Sequence, residues 1–298
     1  MNANDRYEII RLVARSDMAR VYMARSYADG RLVALKVLDA TMDPIRFERE
    51  ARVLASIDHP AVVRYIAHGT TDGKSWLATE WLEGEDLAAR MDRRTLDLDE
   101  ILAIARAACG ALAYLHAHGI VHRDVKPANI FLVGSTPRVR LLDFGIARDR
   151  AQAAMTGANV IMGTPQYMPP EQAIDARKAD ARADVFALGA VIFHCVTGRP
   201  VYVGEGVEQI FSAIVTARVP RMSSLVSFVP RELDDLVARA TSRDPSARHP
   251  NAIAMLASLL RVPEASYCED DTVTRIRLRD RSDDTQPLDD DTWICAAS

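Results

Sequence analysis

Two short apolar runs, at residues 130–133 and 139–142, constrain the fold of this chain more than any other part of its sequence. Each has the length and composition of a buried strand, and a polar, turn-rich gap separates them. If the two runs pair as a hairpin, the residues just before the first run and just after the second meet at one end of it. Those residues include two aspartates, a lysine and an asparagine: Asp124, Lys126, Asn129 and Asp143.

This set of side chains suits phosphoryl transfer. A carboxylate can orient an attacking hydroxyl, a lysine can neutralise the moving phosphoryl group, and asparagine and aspartate oxygens can hold Mg²⁺. The sequence His-Arg-Asp-Val-Lys-Pro-Ala-Asn at 122–129, followed by Asp-Phe-Gly at 143–145, resembles the catalytic loop and metal motif of eukaryotic-type (Hanks-type) serine/threonine protein kinases. The resemblance implies that Asp124 is the catalytic base, assisted by Lys126 and Asn129. It also implies that Asn129 and Asp143 bind Mg²⁺ and that ATP is the phosphoryl donor.

The resemblance extends over residues 7–261 and implies the two-lobed α+β protein kinase fold. We expect a kinase domain at 1–262, with a small antiparallel-sheet N-lobe carrying one helix (about 1–80) and a larger, mainly helical C-lobe (about 83–262). The sequence supports this with predicted strands at 7–13, 20–25, 32–38, 61–67 and 75–79. Helical periodicity predicts helices at 44–57, 98–117, 206–217, 230–241 and 250–261, and the apolar run 185–196 predicts a buried core helix.

Lys36 lies in an otherwise apolar predicted strand, where a buried ammonium needs a partner. In the resembling family, the strand lysine pairs with a glutamate of the following helix and grips the ATP phosphates. Glu50 has the matching place. From the residues alone, Lys36 could instead be an edge-strand lysine that reaches solvent, and Glu50 one of several solvated charges on its helix; the later motifs favour the paired interpretation.

The segment after the fifth predicted strand resembles the hinge whose backbone bonds adenine. By position, Glu80 and Leu82 would make these contacts and Thr79 would gate the back of the pocket. Asp86 could reach the ribose or cap the next helix. The resemblance further implies apolar pocket residues on the first strands: Val13, Val21 and Ala34.

One motif of the family is missing. The Gly-x-Gly-x-x-Gly loop is represented by Ala14-Arg15-Ser16-Asp17-Met18-Ala19, in which small residues replace all three glycines. Their Cβ atoms restrict φ and enlarge the loop. Asp17 brings negative charge towards the phosphates. Arg15 could offset this charge or could itself contact phosphate. The alternatives are therefore an active kinase with weakened nucleotide binding and a pseudokinase, a binding scaffold of the same fold. A small-molecule kinase of related fold is a third alternative, and the segment at 162–171 argues against it, since it resembles a platform for protein substrates.

The chain from Gly163 to Glu171 resembles the end of a kinase activation segment. Thr164 in this segment and Lys126 after the catalytic aspartate imply serine or threonine acceptors. We expect phosphorylation of Thr156 to order the segment through Arg123, whereas the Thr164 hydroxyl should bond the catalytic residues. The resemblance assigns structural roles to three further residues, of which the first two would form an ion pair or, alternatively, be independent surface charges: Glu171, Arg248 and Asp184.

Composition limits the remaining classes of function. The net charge of −4 gives no broad electrostatic attraction to nucleic acid. The first residues lack a signal-peptide pattern, the longest apolar run is too short for a membrane span, and four cysteines form no metal-type spacing. We therefore expect a cytoplasmic signalling enzyme whose partners are ATP and a protein with serine or threonine acceptors, and which could form a dimer when it phosphorylates itself.

The last segment, 263–298, carries ten acidic residues against four arginines. It has few apolar residues to bury, so its composition predicts disorder. Three threonines of this segment have acidic neighbours. The sequence of residues 272–278 alternates with period two, as that of a strand added to a sheet edge would. Two interpretations remain open: a solvated linker and a regulatory tail that is phosphorylated or docks on the kinase core.

Overall fold

The computed structural model describes residues 3–15, 19–38, 44–134, 138–143, 165–175 and 178–263. Contacts within the chain divide it into two units. Of the described residues, unit 1 takes those within 1–87 and 128–162, and unit 2 takes those within 88–127 and 163–298.

Unit 1 is built on a five-stranded antiparallel sheet in the order β1-β2-β3-β5-β4. Its members are β1 (Tyr7–Arg15), β2 (Ala19–Ser26), β3 (Leu32–Leu38), β4 (Tyr65–Thr71) and β5 (Lys74–Glu80). Helix α1 (Pro44–Ala55) packs on β4 and β5. There, His68 Nε2 lies 2.9 Å from a carboxylate oxygen of Glu48, which ties the helix to β4.

One face of this sheet is closed by an apolar cluster. Trp76 is its largest member and meets Tyr7 edge-to-face at 5.7 Å between ring centroids. A Cβ on Gly69 would lie only 2.7 Å from the Trp76 ring, so the ring needs glycine at that place. The cluster's other members are small or aliphatic: Ala3, Ala24, Val33, Leu35 and Ala78.

A second, three-stranded sheet contains the hairpin that the sequence predicts. It comprises β6 (Gly84–Asp86), β7 (Ile130–Val133) and β8 (Arg138–Leu141), in that order. Leu141 also holds the chain at 61–63, because its N–H donates to Ala61 O and its carbonyl accepts from Val63 N–H. The predicted strand at 61–67 was therefore placed too early: residues 61–63 bond to β8, and β4 begins at Tyr65.

Unit 2 is helical in its described part, apart from short 3-10 turns. Its helices are α2 (Leu87–Arg93, whose first residue falls in unit 1), α3 (Leu98–Ala117), α4 (Pro170–Ile174), α5 (Ala181–Thr197), α6 (Val207–Thr216), α7 (Arg231–Ala240) and α8 (Ala252–Leu259). Together with the antiparallel sheet of unit 1, this confirms the predicted α+β class.

Helix α5 is the centre of unit 2. It is buried over most of its length, which confirms the core helix predicted at 185–196, and it packs against α3, α7 and α8. Asp180 caps its first turn and Gly198 ends it in the left-handed conformation, at φ +71°. At Gly189 a Cβ would lie 2.8 Å from that of Ala240, so glycine allows the close approach of α5 and α7.

Two further findings concern the described residues. None of their helices combines the length and the apolar character that a bilayer-spanning segment needs. Burial raises the pKa of the Cys109 and Cys195 thiols to about 12, so both stay protonated at neutral pH.

Candidate active site

The register of β2, β3 and β5 determines which side chains share a face with Lys36. Val21 pairs with Lys36, and Ala34 pairs with Thr79. Because side chains alternate along a strand and directly paired residues share a face, these four predicted pocket residues lie on one side of the sheet. The apolar cluster around Trp76 covers the other side.

Lys36 lies beside the aspartate of the predicted metal motif. Its Nζ is 2.8 Å from Asp143 Oδ1, and the two side chains are 25% and 45% exposed. Asp143 has φ +42°, a conformation that costs a non-glycine residue of order 1 kcal/mol or more. The predicted partner Glu50 belongs to α1, but its side chain lies outside the described part of the structure.

Asn129 and Asp143 lie at the same end of the β7–β8 hairpin. Ile130 pairs with Leu141, and the next residue, Leu142, donates its N–H to Asn129 O at 2.9 Å. The two apolar runs predict this arrangement for Asn129 and Asp143, two of the four residues expected to converge. An amide oxygen and a carboxylate, both hard oxygen donors, fit the coordination that Mg²⁺ prefers.

The hinge candidates follow the last strand of the sheet. Glu80 ends β5, and both its N–H and its side chain are used locally: the N–H donates to Arg64 O, and the carboxylate accepts from Arg64 N–H. The same carboxylate lies 3.6 Å from Arg140 Nε. Leu82 follows in the described loop, and Asp86 ends β6 just before α2.

The glycine-free loop is described only at its ends, since residues 16–18 lie outside the described part. The register of β1 shifts between Leu12 and Ala14, next to Val13. Beyond that shift Ala14 pairs with Val21 and Arg15 pairs with Arg20. Strand alternation therefore puts Arg15 on the face opposite to Lys36, where it does not help to hold a ligand bound at Lys36.

In unit 2, Asp124 lies beside Lys126, whose Nζ is 3.1 Å from Asp124 Oδ2. The loop before them is held by Asp184, which is almost fully buried. One oxygen of Asp184 accepts from His122 N–H at 2.8 Å, and the other accepts from Arg123 N–H at 2.8 Å. A buried carboxylate thus fixes the backbone that leads to Asp124.

His116 completes this support, although the sequence analysis did not single it out. Its Nδ1 accepts from Ala252 N–H at 3.0 Å, so its proton is on Nε2, which donates to Asp184 Oδ2 at 2.9 Å. Gln172, also missed, donates from Nε2 to Arg123 O at 3.0 Å. The one hint in the sequence was the position of His116, at the end of a long apolar helix just before the catalytic loop.

Glu171 and Arg248 form a bidentate ion pair. Arg248 Nη1 and Nη2 lie 2.7 and 2.8 Å from the two carboxylate oxygens, and the exposed fractions of the side chains are 0% for Arg248 and 16% for Glu171. Arg248 uses its remaining donors on backbone carbonyls and stacks on Phe186 at 4.8 Å. The predicted phosphorylation residues Thr156 and Thr164 lie outside the described residues.

The family model described as "Protein kinase domain" matches residues 7–259. The chain belongs to the protein kinase domain family. Among its relatives is the serine/threonine-protein kinase PknL of Mycobacterium bovis, 36% identical over 267 residues, or 88% of this chain and 66% of PknL. The serine/threonine-protein kinase PknB of Mycolicibacterium smegmatis is 36% identical over 279 residues, or 88% of this chain and 43% of PknB.

Among solved structures, the PknI kinase domain of Mycobacterium tuberculosis superposes with a TM-score of 0.69 at 30% identity, covering 86% of this chain and 96% of that one. The predicted family, bacterial serine/threonine kinases of the eukaryotic type, is thereby confirmed, as is the kinase fold. ATP with Mg²⁺ is the donor and cofactor pair of this family. PknL and PknB both extend beyond the part that this kinase domain matches.

Proposed function

We propose that this kinase domain transfers the γ-phosphoryl group of ATP to serine or threonine hydroxyls of proteins, including its own. The observation that carries the proposal is the Lys36–Asp143 pair beside Asn129, because it joins a phosphate-binding cation to two Mg²⁺-type oxygen donors. The Asp124–Lys126 pair supplies the groups that act on the acceptor.

In unit 1, Asp143 and Asn129 would hold Mg²⁺, and Lys36 would orient the α- and β-phosphates. When bound, Mg²⁺ supplies positive charge that offsets the charge of the transferring phosphoryl group. The partial exposure of Lys36 and Asp143 leaves both accessible to such a ligand. Val21, Ala34 and Thr79, on the same face as Lys36, would contact the base and the back of its pocket.

In unit 2, Asp124 would accept a hydrogen bond from the acceptor hydroxyl and take its proton as the oxygen attacks. Lys126 would stabilise the negative charge of the transferred group. Asp124 and Lys126 belong to a short loop whose backbone is hydrogen-bonded to Asp184. Little reorganisation of the loop is therefore needed when the reaction begins.

The glycine-free loop is the feature that supports the pseudokinase alternative. Without glycine, fewer backbone N–H groups can approach the phosphates, and Arg15 lies on the wrong face to replace them. We expect the KM for ATP to be higher than in a kinase whose loop has the three glycines. We expect transfer to be retained, since every charged group of the proposed mechanism is present.

Regulation and location complete the proposal. A phosphate on Thr156 would pair with Arg123 and order the activation segment. The protein would act in the cytoplasm, and self-phosphorylation would bring two copies together.

The test is incubation of the purified chain with ATP and Mg²⁺, followed by mass spectrometry of its own phosphorylated residues. Phosphate on Thr156 in the wild type, and none in Asp143→Ala, is the expected result. ATP binding detected by thermal shift with no phosphate on any residue would instead support the pseudokinase.

A further inference from the structure

The backbone at Arg123, directly before Asp124, is strained. Arg123 has φ +65°, in the left-handed region that non-glycine residues rarely adopt. Such a conformation is unfavourable for a residue with a Cβ atom and persists only where neighbouring groups enforce it. The peptide units on both sides of Arg123 must therefore be held in place.

Two side chains from different helices hold them. Asp184 of α5 accepts the N–H of Arg123, as described above. Gln172 of α4 donates to the carbonyl of the same residue at 3.0 Å. That carbonyl belongs to the peptide bond that joins Arg123 to Asp124, so the bond from Gln172 restrains the orientation of the next residue directly.

Gln172 is suited to this contact in three ways. It is only 3% exposed, so its amide group is withdrawn from water and needs a partner within the protein. Its amide provides the N–H donor that a carbonyl needs, whereas a glutamate would oppose two acceptors. Its neighbour Glu171 is fixed by the bidentate pair with Arg248, so the short helix that carries Gln172 is anchored at the adjacent position.

We propose that Gln172 is a positioning residue that holds the Arg123–Asp124 peptide and thereby orients the Asp124 carboxylate for phosphoryl transfer. The catalytic part of this inference rests on the proposed kinase activity, whereas the restraint on the loop does not. The contact from Gln172 gives α4 a second role. Besides carrying Glu171, which pairs with Arg248, α4 sets the geometry of the catalytic loop.

The experiment uses two variants of the full chain, Gln172→Met, which keeps the length and removes the donor, and Gln172→Glu, which places an acceptor against the carbonyl. Thr241→Val is the matched control. It removes another buried side-chain donor, from Thr241 Oγ1 to Val237 O at 2.8 Å, within the same unit but away from the catalytic loop.

Two readouts are compared. In hydrogen–deuterium exchange, both Gln172 variants should exchange faster than wild type in the peptide covering residues 118–127, and Thr241→Val should not. In steady-state kinetics, kcat should fall on the order of 10- to 100-fold with the KM for ATP unchanged, because a misplaced base affects the transition state more than nucleotide binding.

Unchanged exchange at 118–127 would overturn the proposal, as would faster exchange with an unchanged kcat. A fall in kcat that Thr241→Val reproduces at the same loss of melting temperature would also overturn it. If the wild type shows no transfer, the kinase activity fails, and the exchange readout alone decides whether Gln172 holds the loop.

Discussion

The two ion pairs that the kinase motifs bring together differ in almost every physical respect. Arg248 and Glu171 meet in a bidentate pair in which the guanidinium is fully buried and all its N–H groups are bonded. Lys36 and Asp143 share a single contact and are both partly exposed. The first pair stabilises one arrangement of the chain, whereas the second can exchange its partner for a ligand.

This difference indicates how stability and function are separated in the chain. A buried charge that loses its partner is costly, so the Arg248 pair has no freedom to take part in chemistry. A partly exposed pair contributes little to stability, so the proposed exchange of Lys36 for a metal ion at Asp143 would not unfold its surroundings. Four predictions test this comparison.

The largest effect is expected at Asp143. Asp143→Ala should lower phosphoryl transfer on the order of 1000-fold, because it removes a proposed Mg²⁺ ligand. Its free energy of unfolding should change by less than about 1 kcal/mol, since the lost pair is partly exposed and the left-handed φ of Asp143 disfavours alanine only modestly. Transfer rates and urea denaturation measure the two quantities. A variant with wild-type activity would falsify the assignment of Asp143.

Arg248→Lys should give the opposite result. A lysine cannot make the bidentate contact or the three carbonyl contacts, and we expect a loss of about 3 kcal/mol in the free energy of unfolding. Urea denaturation measures it. Arg182→Lys is the control, because Arg182 also pairs with a carboxylate, that of Asp180, but both of these side chains are substantially exposed. Equal losses in the two variants would contradict the comparison.

His249 extends the comparison to pH. It is 2% exposed, its Nδ1 has no hydrogen-bond partner among the described residues, and burial, with Arg239 and Arg261 nearby, lowers its pKa to about 4. The pKa of His249 is lower in the folded state than in the unfolded state, where it is near 6.5. Between pH 6.5 and pH 4 the unfolded chain therefore takes up a proton at His249 that the folded chain does not. The contribution of His249 to the free energy of unfolding is highest above pH 6.5 and falls as the pH is lowered towards 4.

The measurement is the melting temperature between pH 7 and pH 4.5 for the wild type and for His249→Gln. The variant should lose less of its melting temperature over this interval than the wild type. Parallel curves would show that protonation of His249 is not coupled to unfolding.

The smallest effect is expected for the Glu8–Arg25 pair. Its atoms are 3.9 Å apart and both side chains are at least half exposed. Glu8→Ala should change the free energy of unfolding by less than about 0.5 kcal/mol and leave phosphoryl transfer unchanged. A larger loss in either measurement would show that exposure does not separate the two kinds of pair.

Much of the fold could be predicted because local signals agreed with tertiary structure. The predicted boundaries of 32–38 and 98–117 match β3 and α3, since both elements have strong periodicity and clear turn or cap residues. The strand at 61–67 was misplaced because nothing in the sequence reveals that Leu141 takes the backbone groups of residues 61–63. Long-range pairing of this kind has no local pattern.

The residues of the candidate site also divide into those that local sequence could predict and those that it could not. Asn129 and Asp143 could be placed together because a hairpin brings its ends together whatever surrounds it. Gln172 could not be found, since a glutamine among prolines acquires its meaning only from the distant carbonyl it faces. The role of Arg15 likewise depends on strand register, which residue type alone does not determine.

In the proposed mechanism, Asp124, on a loop held by Asp184 and Gln172, acts on the acceptor hydroxyl. The most direct test is single-turnover transfer from ATP and Mg²⁺ to a protein with serine and threonine acceptors, comparing the wild type with Asp124→Asn. We expect transfer to slow on the order of 100-fold or more while ATP binding is retained. Transfer at the wild-type rate in Asp124→Asn would contradict the proposed mechanism.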